Sequence, residues 1–158
     1  MINKKSQIFD LIYLAFVLFM IAVVGLTVYK VIEAWNDETS GIIDEENRAY
    51  TQTFEDRLPD YLQQIFIVVL FGVSIVSLVS AFLVNSHPIF YGFFMVLLGF
   101  LSWFNAMYAN LWYSFSSDAA FGTLANSLPI INTIIRYYPL VLFVLGLIIG
   151  ITMMAKGE

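Results

Sequence analysis

The segment Tyr61–Ser117 reads YLQQIFIVVLFGVSIVSLVSAFLVNSHPIFYGFFMVLLGFLSWFNAMYANLWYSFSS and contains no Lys, Arg, Asp or Glu. A soluble domain does not leave so long a run uncharged. It is too long for one membrane span and about right for two. Asn85-Ser86-His87-Pro88, a cluster of turn-forming residues, marks the division. Tyr61–Val84 and Ile89–Trp112 are therefore expected to be two transmembrane helices joined by a tight turn. Each is close to the ~20 residues that cross a hydrocarbon core of about 30 Å.

The rest of the composition agrees. Of 158 residues, 60% are hydrophobic and 12% charged, against about 25% charged in a soluble domain. One all-α integral membrane domain is expected, without a separate soluble domain. The net charge is −5, and the acids concentrate between Glu33 and Asp60, so the basic stripe that binds nucleic acid is missing. There is no cysteine and a single histidine, His87. That excludes disulfides, iron–sulfur clusters and the usual zinc sites, and no cofactor is expected.

Upstream, Lys4 and Lys5 precede the apolar stretch Ile8–Tyr29. Its uncharged part exceeds a signal-peptide core of ~7–15 residues, and no A-x-A-like cleavage site follows. It reads as a first span, about 8–30, with Lys30 snorkelling to the interface. The acidic loop, 33–60, comes next. Within it Asn36–Gly41 reads as a loop, and Ile43, Tyr50, Phe54 and Leu58 form a helical stripe. Asp44–Leu58 is thus expected to be a short amphipathic helix, capped by Asp44 and stopped by Pro59. Its acidic polar face does not suit anionic lipid.

Small residues in the spans fall at packing intervals: Ser74, Ser77 and Ala81 in the second, and Gly92, Gly99 and Ala106 in the third. Helices in lipid associate through close contact at small residues, so the two stripes are expected to face each other in a tight hairpin. Trp112 and Tyr113 are expected at the membrane–water boundary, with Asn105 and Asn110 just inside it. A second loop, 114–128, leads to a helix start at Ser127-Leu128-Pro129 with Ser127 as cap. The fourth span, 130–155, is kinked or interrupted at Pro139. Its Gly146 and Gly150 form a GxxxG that is left for a partner. Four spans place both termini on one side. Lys4, Lys5 and Lys156 put that side in the cytoplasm, or the interior of a virion, with the acidic loop outside.

Few side chains here suit chemistry. Asp10 near the start of a span suits a proton or cation site, and equally an interfacial carboxylate beside Lys4 and Lys5. Asn105 and Asn110 suit a polar path or interhelical hydrogen bonds. Arg136, with Tyr137 and Tyr138, suits a lipid headgroup, a pair with Asp118, or simple anchoring. No phosphate-binding, nucleophile-elbow or H-E-x-x-H motif is present, so an enzyme is not expected. Three readings follow. The first is a non-catalytic structural or accessory subunit of a multisubunit membrane complex or a membrane-containing virion. Its partners are the bilayer and other membrane-protein subunits. The second is a small oligomeric channel or holin-like pore, and the third a proton-coupled transporter using Asp10.

Overall fold

The computed structural model describes residues 6–39, 41–83 and 88–155. Among them every regular element is helical: α1 (Ser6–Thr39), α2 (Glu45–Leu83), α3 (Pro88–Ser117), α4 (Gly122–Ser127), α5 (Pro129–Arg136) and α6 (Tyr138–Met154). Three helices, α1, α2 and α3, are long and apolar enough to cross a membrane. The pair α5 and α6 makes a fourth if counted as one broken span, bent by 71°. The turn residues Asn85, Ser86 and His87, the termini with Lys4, Lys5 and Lys156, and the side chain of Asp10 lie outside the described residues.

Over their apolar stretches α1, α2 and α3 carry exposed as well as buried apolar side chains, which suits lipid and not water. On α1, Leu11, Leu14, Leu18, Ala22 and Leu26 turn inward and are buried, while Ile12, Phe16, Met20, Val24 and Val28 face outward and are exposed. Two clusters fill the interior. One joins Leu14, Leu18 and Leu26 of α1 to Phe66, Trp112, Leu128, Ile131, Tyr138 and Leu142. The other gathers Leu11, Ala81, Phe94, Leu98, Ile149 and Met153 at the opposite end. The start of α1 and the end of α6 therefore lie at the same end of the bundle.

Neighbour relations differ from the expected hairpin. The closest pairs are α1 with α2 and α3 with α6, whereas α2 meets α6 and only slightly, if at all, α3. The α1–α2 pair is antiparallel: Gly25 lies against Leu62, and further toward the connecting loop the Asn36 amide donates to Glu55. The α3–α6 pair is antiparallel too, with Gly146 against Leu98 and Gly150 against Phe94. Glycine decides both pairings, because each removes the side chain that would hold the backbones apart.

Four boundaries move. The first span continues as helix through Asn36 to Thr39, where a loop was expected. The short amphipathic helix and the second span are one 39-residue helix that passes through Pro59. Proline leaves the Glu55 carbonyl without its usual donor, but Leu58 and Pro59 are both buried, and packing outweighs the lost bond. The third span runs to Ser117. The expected second loop contains α4, whose Leu124 and Ala125 are buried in the end of the bundle.

The α5–α6 break is local chemistry. Pro139 has no N–H to give the Ile135 carbonyl, and Tyr137 takes the break with φ −98° and ψ 18°. The N-terminus of α5 is capped from a distance. Ser127 is not its cap; that hydroxyl donates to the Leu124 carbonyl at 2.7 Å. Leu128 occupies the cap position, and the buried Gln63 of α2 accepts the Ile130 N–H at 3.0 Å through Oε1.

Candidate functional site

The small-residue positions divide into an inner and an outer set. Ser77 and Ala81 are buried in the bundle, Ser74 and Ala106 are half-buried, and Gly146 and Gly150 are buried. The GxxxG of α6 is filled within the chain. A β-carbon at Gly146 would collide with the Leu98 side chain, and one at Gly150 would sit 3.1 Å from Phe94 and 3.2 Å from Tyr91. Nothing of it is left for a partner, because α3 lies in the groove it makes. Gly92 and Gly99 behave oppositely. Both are exposed, and a β-carbon at either would meet nothing within 4 Å. Around Gly99, the residues Val96, Phe100 and Trp103 wall an open apolar groove on the outer face of α3.

The polar candidates are equally divided. Asn105 is fully buried, and neither atom of its amide has a hydrogen-bond partner. The Ser77 hydroxyl is also buried and unpartnered. The Ser74 and Ser102 hydroxyls turn back on their own helices, to the Leu70 carbonyl and to the Leu98 carbonyl at 2.9 Å. Such back-bonding satisfies a hydroxyl without a neighbouring helix. Asn110 is exposed on α3. Arg136 is exposed at the end of α5, and among the described residues it pairs with no carboxylate. Asp118 instead accepts the Ala120 N–H at 2.8 Å in the turn after α3.

Several contacts have no counterpart in the sequence patterns. Trp112, expected at the interface, is buried and donates through Nε1 to Asn132 Oδ1 at 2.9 Å, tying α3 to α5. Tyr138 is buried and donates to the Ala15 carbonyl of α1 at 2.7 Å. Phe19 stacks on Tyr108 with ring centroids 4.8 Å apart. Aromatic residues with a polar tip are legible as candidates for such ties, but their partners lie more than a hundred residues away in one case and on other helices in all three.

Beyond Lys30 the two longest helices continue together. Phe19 stacks on Tyr108, and Leu26 lines one cavity with Phe115 in the same register. By that register α3 ends about level with Val28, so α1 from Lys30 to Thr39 and the facing part of α2 form a helical hairpin past the end of the bundle. Lys30 pairs with Glu33 within it. One side holds a cavity of about 410 Å³ lined by Val31, Ile32, Trp35, Asn36, Tyr50, Thr51 and Phe54. No group of three His, Cys, Asp or Glu among the described residues is placed to hold a metal ion. No known protein family, curated protein or solved structure matches this chain.

Proposed function

We propose that the chain is an integral membrane protein with four spans, α5 and α6 together forming the fourth, and that it serves as a non-catalytic subunit of a larger membrane assembly. In this reading both ends of the chain lie on the cytoplasmic or interior side, and the acidic hairpin stands on the other. The observation that carries it is the unfilled groove on α3. Gly92 and Gly99 lie one heptad apart, exposed, with no neighbour where a β-carbon would be. In lipid, a small-residue groove brings a second helix into close van der Waals contact, and no hydrophobic force is needed. The chain uses that device internally at Gly146 and Gly150; outside, the same device stands open.

Purification from the source in mild detergent, followed by mass spectrometry, tests the reading. A stoichiometric set of other proteins is expected, and Gly99→Leu should release at least one of them while the bundle stays folded. A lone homo-oligomer, or full retention by the Gly99→Leu protein, would count against it. The buried, unpartnered amide of Asn105 favours a second reading, a small channel. That reading requires the purified protein to conduct in liposomes and Asn105→Leu to reduce the current.

A further inference from the structure

The hairpin past the end of the bundle has two faces of opposite character. One carries Trp35, Tyr50 and Phe54, which are 60%, 68% and 51% exposed, around an apolar cavity of about 410 Å³. The rest is acidic. From Lys30 to Asp60 there are nine Asp and Glu against Lys30, Arg48 and Arg57. Glu38 lies one turn beyond Trp35 and Glu46 one turn before Tyr50, so both border the aromatic face, and both are exposed. A contiguous aromatic patch held in water, rimmed by polar residues, marks a contact surface.

The charge selects the occupant. A second copy of this chain would bring an equally acidic hairpin against the first. An anionic bilayer surface would be repelled in the same way. We propose that this face docks a basic amphipathic helix of a partner protein. Its apolar side chains at positions i, i+3 or i+4, and i+7 would enter the Trp35–Tyr50–Phe54 cavity, with lysines or arginines against Glu38 and Glu46. The proposal rests on the subunit reading above and names the chemistry of one partner.

The test uses the full chain in phosphatidylcholine nanodiscs. The probe is a fluorescent amphipathic peptide of about 18 residues, with Leu and Trp on one face and Lys on the other. A matched peptide carries Glu in place of Lys, and empty nanodiscs serve as the blank. The lysine peptide is expected to bind protein-loaded discs, more weakly as salt rises. The double variant Trp35→Ala/Phe54→Ala should bind it at least tenfold more weakly. Both side chains are mostly exposed, so the melting temperature should hold. Glu38→Lys/Glu46→Lys should reverse the preference toward the glutamate peptide. Equal binding to empty discs, unchanged binding by the double variant, or no preference between the two peptides would overturn the proposal. The titration reports on the hairpin face alone, and purification from the source reports on the subunit reading, so failure of either is distinguishable.

Discussion

Gly146 and Gly99 are the same residue type on helices that both present an apolar surface, and the structure gives them opposite roles. At Gly146 the backbone of α6 approaches the buried Leu98 so closely that a β-carbon does not fit. Gly146→Leu should therefore force α3 and α6 apart and lower stability by about 1–3 kcal/mol, the usual cost of overpacking a filled core. Gly99→Leu meets open space, and should leave stability unchanged or raise it by up to about 1 kcal/mol through helix propensity. Unfolding of both variants in mixed micelles, followed by circular dichroism, checks the pair; equal losses would contradict the assignment of faces. Asn105 makes a second contrast. Its amide is buried with no partner at either atom, and leaving such a group unsatisfied costs about 1–3 kcal/mol. Asn105→Leu should stabilise the bundle in the same assay, whereas a loss of stability would mean that the amide has a partner in the membrane.

Long-range capping joins elements that the sequence does not place side by side. The N-terminus of α5 has no side-chain cap of its own, and Gln63 supplies the acceptor for the Ile130 N–H from α2. Gln63→Leu keeps the bulk and removes the acceptor, leaving the part-buried Ile130 N–H without its partner. Loss of about 1–3 kcal/mol is expected, with hydrogen exchange at Ile130 accelerated ahead of exchange in the middle of α3. Uniform exchange across both helices would argue against a local cap. Here the limits of reading the sequence are physical. The apolar character of α1, α2 and α3 and the interruption near Pro139 follow from hydropathy and from proline chemistry, which are local. The continuation of α2 through Pro59 does not, because the burial of Leu58 and Pro59 in the folded chain decides it. Nor could spacing alone say which small-residue stripe would be filled: Gly92–Gly99 and Gly146–Gly150 are both competent grooves, and only the pairing of α3 with α6, in place of α3 with α2, assigns one inward and one outward.

The assembled chain has a definite polarity. Leu11 near the start of α1, Phe94 near the start of α3 and Met153 near the end of α6 share one cluster, while Leu26, Trp112 and Leu128 belong to the other. The hairpin extends the second end only. α1 has 34 residues and α2 has 39, or roughly 50 and 60 Å at 1.5 Å per residue, well beyond a hydrocarbon core of about 30 Å. In the proposed membrane reading the uncharged parts, Leu11–Tyr29 and Tyr61–Leu83, fill that thickness, and the charged remainder stands in water. In that reading α5 and α6 together make the fourth crossing, to which α6 contributes 17 residues, about 26 Å by the same rise. Residue 41 and residue 155 should accordingly lie on opposite sides of the bilayer. The chain contains no cysteine, so single replacements report without background. In intact cells, Gly41→Cys should react with a membrane-impermeant maleimide, and Ala155→Cys only after permeabilisation. The reverse pattern would invert the orientation and keep the fold. Reaction of both in intact cells would require an even number of crossings between the two positions, and would take α6 out of the membrane.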